Sequence, residues 1–540
     1  MDAGALDDLL DRLVARDQTG GPVVVPPDGS VLGDVGAALA AFWYGDFEAC
    51  GEAAARATAR GSDDLEVVLA QAATGLAVAG GAAALELRAW DVDRALGLPS
   101  GRLEDFARHL TAESALACGR LDVATAMVDA SPPWHTSWSG HPYEVMMLAS
   151  TVRTDAFAAR IDTAAALVPE LTRLGEAHGL GGITVAVESL VTGNADRPDE
   201  TARAVSRLLA EELPPIDRVG RGAYLLAAFG AVATGDVHGA SALILVAGGQ
   251  DLAQLPVIDR SIGLEVLVAA AEVDGDLDAA RAWLEQATPI ADHPNARPAL
   301  DRAASRVAAM EGDATRAVEL AERAVLAARA EGRVIEAAEG EVVLARARLA
   351  AGDHGRAAPS LRAAVAESDA TGHHAMRRAA ADVLRRVGRR LPPVAAGGWD
   401  VLSPREVEVA ELILTGREQR EIAALLFLSP ATVRVHTSRV LAAFAVGSRV
   451  ALLARLGARG EPQVPVPALT PRQSEVAALL ATGSSNAEIA TALGLSVKGV
   501  EKHVGDALAR WGAGSRFDLA LRWWRDGPGR DPAASGPITR

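Results

Sequence analysis

Six stretches of this 540-residue chain set a glycine, followed by Asp or Arg, inside a fixed frame of small residues. The glycines are Gly45, Gly119, Gly235, Gly275, Gly312 and Gly352. Five residues later stand Cys50, Ala124, Ala240, Ala280, Ala317 and Ala357; twelve later stand Ala57, Ser131, Ala247, Ala287, Ala324 and Ala364. Seven residues before the glycines lie Ala38, Ala112, Ala228, Val268, Ser305 and Ala345. Small side chains at constant offsets around a turn describe two antiparallel helices whose backbones nearly touch, because larger side chains would hold them apart. The last four glycines recur every 37 to 40 residues, so the unit is repeated. Composition agrees: the chain is 49% hydrophobic but 4% aromatic, which favours thin, closely packed helices over sheets. An all-α chain is expected.

The pattern resembles the tetratricopeptide repeat in architecture. That resemblance implies a helical-hairpin superhelix, right-handed, over residues 34–390, with an N-terminal helix and lead-in at 1–33. Weaker turns near Gly80, Arg160 and Gly193 bring the count to roughly nine hairpins. Trp43, Leu116, Leu277 and Trp283 are expected to fill the space between them, and an arginine-rich helix at His374–Arg390 to cap the array before a linker at 391–399. The concave surface is the expected place for a protein or small-molecule effector. Residues 131–144 gather Trp134, His135, Trp138, His141 and Tyr143, either as a pocket or as a loop packing its own aromatics. His373 and His374 are adjacent and face about 100° apart on a helix, a poor metal pair.

The C-terminal part carries a second duplication. LSPREVEVAELILTGREQREIAALLFLSPATVRVHTSRVLAAFAVGSR begins at Leu402, and LTPRQSEVAALLATGSSNAEIATALGLSVKGVEKHVGDALARWGAGSR begins at Leu469. Aligned without a gap, they share L-[ST]-P-R, the Gly416/Gly483 turn, the E-I-A triplets 421–423 and 488–490, and His436/His503. Ser403 or Thr470 caps a first helix entered through proline, and Gly416 or Gly483 ends it. Ile422 and Leu426, or Ile489 and Leu493, form the inner face of a short second helix. Ser429 or Ser496 caps a third, whose stripe Val433, Val440, Leu441 and Phe444, matched by Val500, Ala507, Leu508 and Trp511, leaves the opposite face free.

These two units resemble the helix-turn-helix of the LuxR family of bacterial transcription regulators. The resemblance covers about a quarter of the chain, 400–459 and 469–526, joined by a Pro-rich linker at 460–468 and followed by a tail at 527–540 expected to be disordered. It implies double-stranded DNA as partner. Carried over position by position, Thr432 and His436 touch phosphates while Arg434, Val435 and Ser438 face base edges, with Arg439 an added candidate. In the second unit Glu501, Lys502 and Gly505 face bases, and Lys498 and His503 lie near phosphate. Gly499 stands where the family has a hydroxyl residue, and Glu501 replaces a basic one. The second unit is therefore either a weaker reader or a duplicate that packs or dimerises. A fourth helix, from Ser448 or Ser515, supplies a dimer contact in the family. The linker, with Pro462, Pro465 and Pro467, is expected to extend roughly 30 Å and to seat the units on adjacent, non-identical half-sites.

Charge is unevenly placed. The net −17 divides into −20 over residues 1–399 and +3 over 400–540, and no acidic residue interrupts Leu426 to Gly460, where Arg434, Arg439, Arg449, Arg455 and Arg459 stand. A local basic patch of this kind suits a phosphate backbone. Lys498 and Lys502 are the only lysines, so a lysine-bearing phosphate loop of the G-x-x-x-x-G-K-[ST] type is excluded before them. The chain thus lacks the ATPase module of large LuxR-type regulators. Cys50 and Cys118 lack metal-ligand or disulfide spacing, and no nucleophile–base motif stands out, so neither an enzyme nor a cofactor is expected. No signal peptide or long apolar run is read, which implies no membrane and a cytoplasmic location. The expected function is a DNA-binding transcription regulator sensing an effector or contacting RNA polymerase through its repeats, with a homodimer possible. The competing reading is a repeat scaffold whose helix-turn-helix units only pack or dimerise.

Overall fold

A computed structural model describes residues 1–15, 22–81, 90–130, 133–386, 398–399, 402–458 and 466–527. The chain divides into two compact units, Met1–Arg390 and Leu391–Arg540. Its described residues form 28 α-helices and no strand. None of these helices is long and apolar enough to cross a membrane.

In the first unit the repeat frame is visible atom by atom. All six frame glycines are left-handed, with φ between 71° and 90°, a region that costs other residues strain. In five of the six turns the next residue is Asp, and it starts the following helix: Asp46, Asp236, Asp276, Asp313 and Asp353 each accept the N–H three residues on, at 2.9–3.1 Å. Arg120 occupies that place in the remaining turn and pairs instead with Asp122 at 2.6 Å. Every small frame position is at most 4% exposed, apart from Ser131, which lies outside the described residues. At one crossing the Ser305 hydroxyl donates to the Ala317 carbonyl at 2.7 Å, so two frame positions of one pair touch. Ala280→Leu or Ala317→Leu should therefore overpack a backbone crossing and cost about 1–3 kcal/mol. Thermal unfolding checks this, and an unchanged Tm in both variants contradicts the frame.

Two of the weaker turns lie beside, not on, their expected centres. The left-handed residue is Ala159, not Arg160, between Tyr143–Phe157 and Ile161–His178, and Asp196 between Gly181–Asn194 and Pro198–Ala210. Gly193 is not a turn residue. It lies inside its helix, where a Cβ would overlap the Gly230 carbonyl of the helix Arg218–Ala233. Gly80 ends the helix Asp64–Ala79 against the Phe47 ring. The aromatic residues of 131–144 pack on one another and on the helix Arg102–Ala117. Trp134, Trp138 and Tyr143 are buried, Tyr143 shares a hydrogen bond with His109 at 3.2 Å, and the Trp138 N–H donates to the Arg102 carbonyl at 3.0 Å. The segment is a packed loop. Both cysteine thiols are buried, and burial pushes each up to about 12, well away from the reactive thiolate.

The arginine-rich last helix, His374–Arg386, does more than cap the array. Its Arg378 bonds Asp196 at 2.8 Å and the Ala233 carbonyl, and just before it the Thr371 carbonyl accepts the Ile161 N–H at 3.1 Å. Elsewhere Arg218 reaches Glu113 at 2.6 Å and Arg221 reaches the Tyr44 carbonyl at 3.1 Å. Side chains thus tie distant hairpins together around a cavity of about 410 Å³.

Candidate nucleic-acid interface

In the second unit, each half is built from four helices in the same order. They are Pro404–Leu414, Gln419–Leu425, Pro430–Ala443 and Arg449–Leu456, then Pro471–Ala481, Asn486–Leu493, Val497–Trp511 and Arg516–Arg525. The shared motifs explain why. Ser403 with Glu406, and Thr470 with Gln473, form reciprocal capping boxes that satisfy the first free N–H groups of each half. The glutamate of each E-I-A triplet closes the capping box of the second helix, and its isoleucine is buried. The arginine of L-[ST]-P-R crosses to the turn before the third helix: Arg405 donates to the Leu426 carbonyl and Arg472 to the Leu493 carbonyl, the latter at 2.6 Å. These repeated residues fasten and cap the helices around the third.

That third helix has the expected two faces. Val433, Val440 and Phe444 are buried, as are Val500, Ala507 and Trp511. Arg434, Val435 and Ser438 are exposed on the other side, as are Lys498, Glu501, Lys502 and Gly505. The Thr432 hydroxyl shares a hydrogen bond with Ser429 at 2.8 Å, beside the helix start. Arg439 and His436 are half-buried and both turn toward Glu406, at 3.0 and 3.7 Å. Burial would raise the Glu406 carboxyl, but the Ser403 N–H and hydroxyl and the Arg439 guanidinium outweigh it and hold it below the usual range. The second half has Gln473 and Asp506 where the first half has Glu406 and Arg439, so His503 has no matching carboxylate and one more acid stands on the third helix. Asp506 is exposed and escaped the residue-by-residue reading above. So did Phe427, which is 96% exposed and left-handed at φ 54° where the second unit has Gly494 at φ 63°.

The two halves share one core. Buried side chains from Val409 to Trp523 form a single apolar cluster, and the fourth helices pack on each other. A Cβ on Gly416 would overlap Leu521, and one on Gly483 would sit 3.0 Å from Ala451, so each first-helix turn rests on the fourth helix of the other half. Arg449 stacks 4.3 Å over Phe517 and pairs with Glu418 at 2.8 Å, while the Ser515 hydroxyl donates to Glu418. The fourth helix, expected as a contact between chains, is thus engaged within one chain. Residues 459–465 of the linker lie outside the described residues, but Pro467 is docked, its carbonyl accepting the Trp511 N–H at 2.8 Å. The halves pack directly on each other through a shared core, whatever the length of the linker between them.

The sequence matches the bacterial regulatory proteins of the luxR family (GerE) at residues 400–456 and again at 467–522. It is 40% identical over 75 residues to Mb0914c of Mycobacterium bovis and to Rv0890c of Mycobacterium tuberculosis, each named as an HTH-type transcriptional regulator; the match covers 14% of this chain and 8% of either relative. Over 63 residues it is 44% identical to the transcriptional regulatory protein UhpA of Salmonella typhimurium, which is 12% of this chain and 32% of that protein. The chain therefore spans under a tenth of the mycobacterial relatives and about a third of UhpA. With the four-helix geometry on both matched stretches, the C-terminal part of the chain carries LuxR-family helix-turn-helix sequence.

Proposed function

We propose that the chain is a DNA-binding transcription regulator in which both helix-turn-helix halves read duplex DNA and the unit Met1–Arg390 is a tetratricopeptide-like module for an effector or a protein partner. The observation that carries this reading is the exposed face of each third helix, opposite a fully buried stripe. On the first, Arg434 suits guanine through a bidentate contact, Val435 suits the thymine methyl, and Ser438 lies on the same face. Thr432 and His436 are assigned to phosphates. Arg439 is assigned a positioning part through Glu406 and a phosphate contact when it swings free. On the second, Lys498 and His503 serve the backbone and Glu501, Lys502 and Gly505 the bases. Glu501 and Asp506 offset the two lysines there, which favours the second half as the weaker reader.

Because the halves pack through their fourth helices, one chain offers what a pair of chains offers in a two-fold dimer, but with unlike reading residues. The fitting operator is asymmetric. The full chain should bind duplex DNA from its own upstream region with affinity falling steeply as salt rises, since lysine and arginine contacts to phosphate release counterions. A gel shift across a salt series checks this. Binding indifferent to salt, or none, overturns the reading and favours the scaffold alternative.

A further inference from the structure

The cavity of about 410 Å³ inside the unit Met1–Arg390 falls within the roughly 300–1,000 Å³ typical of small-molecule sites. One part of its lining is apolar, formed by Leu116, Phe157, Leu190, Phe229, Ile258 and Ile262. Phe157 and Phe229 meet edge-to-face with centroids 6.3 Å apart. The rest of the lining is rich in ionic groups, and the way they pair decides what charge the cavity accepts.

Each arginine that lines the cavity already faces a carboxylate. Arg153 and Arg218 share Glu113 at 3.0 and 2.6 Å, and Arg306 and Arg346 share Glu272 at 2.5 and 3.9 Å. Arg333 holds Glu336 at 2.6 Å, and Arg378 holds Asp196 at 2.8 Å. The carboxylates are not so fully used. Behind the wall, fully buried Arg302 grips Glu265 with two bonds of 2.8 and 2.6 Å and Glu336 with one of 3.2 Å. Glu339 comes third to that guanidinium, at 3.5 Å and without a hydrogen bond, and its side chain is 45% open while lining the cavity. Asp259 also lines the cavity with neither a hydrogen bond nor an ion pair among the described residues. An anionic ligand would have to compete with a carboxylate at each lining guanidinium, where single N–H groups of Arg153, Arg306 and Arg333 lack an acceptor. A cationic one would find acceptor oxygens without donors.

We propose that this cavity binds a small organic cation, a primary ammonium on an aromatic or aliphatic body, with the ammonium on Glu339 and the body against Phe157 and Phe229. Asp259 accepts a further donor where the ligand carries one. Partial burial and the neighbouring Glu265 and Glu336 hold the Glu339 carboxyl above its usual range against the pull of Arg302, so a donor brought by a ligand meets a carboxylate short of partners. This deepens the reading of Met1–Arg390 as an effector module and is independent of DNA binding.

The test uses the full chain without DNA, at pH 7.5, with tryptamine, tryptophol and indoleacetate: one aromatic body carrying an ammonium, a hydroxyl or a carboxylate. Calorimetry should show tryptamine binding about tenfold or more tighter than either analogue. Glu339→Gln should bind tryptamine no better than tryptophol. The proposal is overturned if the alcohol or acid binds as well as the amine, if none of the three binds, or if Glu339→Gln keeps the amine preference. Should that variant fail to fold, the three-probe comparison on the unaltered chain decides alone. A gel shift with and without tryptamine separates the two readings: binding without any effect on DNA affinity supports the site and overturns the effector role. Absence of binding beside normal DNA affinity overturns the site and leaves DNA reading intact.

Discussion

Arg302→Ala should destabilise the unit Met1–Arg390 by about 3–5 kcal/mol, because it leaves Glu339 without its guanidinium, Glu265 with only Arg306 at 3.9 Å and Glu336 with Arg333 alone. Desolvation makes an uncompensated buried charge far more costly than a broken surface pair. Arg281→Ala removes a comparable 2.8 Å pair with Glu311 at the surface and should cost under about 1 kcal/mol. The large loss should also depend on pH. The Glu339 carboxyl is already held above its usual range with Arg302 present, and without that guanidinium it rises further. The folded variant then binds more protons than the unfolded chain, so its stability falls as pH rises. Urea unfolding at pH 5 and pH 8 should show the deficit growing across that window. A deficit equal at both values, or no larger than that of Arg281→Ala, contradicts the ion cluster as described.

Much of this fold was legible because its determinants are local. A glycine that must be left-handed, an aspartate that caps in five of the six turns and small residues that must cross lie within about twenty residues of each other, and every described small position of the frames is buried. The weaker hairpins lie near the expected places but turn on other residues, for a physical reason. Ala159 and Asp196 adopt the left-handed turn conformation without being glycine, while Gly193 is glycine because two helix backbones touch there. The cavity was not legible at all. Its lining arginines Arg378 and Arg218 reach partners 182 and 105 residues away, which no local period encodes.

At the candidate site the reading face was legible from the buried stripe, since a helix that hides Val433 and Val440 must expose Arg434 and Ser438. Two things were not. The L-[ST]-P-R arginines and the E-I-A glutamates recur because they fasten and cap the scaffold, a role that a motif match alone does not distinguish from reading. The partner of the fourth helix was also hidden, because an apolar helix face does not say whether its complement lies on the same chain or another. Glu406 likewise draws in Arg439 and His436 across 33 and 30 positions of sequence.

If both halves read DNA from one chain, the exposed residues of the third helices set the size of the effect. Arg434→Ala should lower affinity for the preferred site by about 1–3 kcal/mol, roughly 5- to 150-fold, and relax preference at one base position. Arg455→Ala, exposed on the fourth helix of the first half and off the reading face, should leave that preference unchanged. The most direct measurement is a hydroxyl-radical footprint of the full chain on its own upstream region beside the Lys498→Ala/Lys502→Ala variant. We predict that the unaltered chain protects two adjacent, non-identical half-sites as a single chain, and that the variant binds more weakly and protects only the half-site read by Arg434, Val435 and Ser438. Equal protected length and equal affinity would show that the second half does not read DNA and would contradict the account.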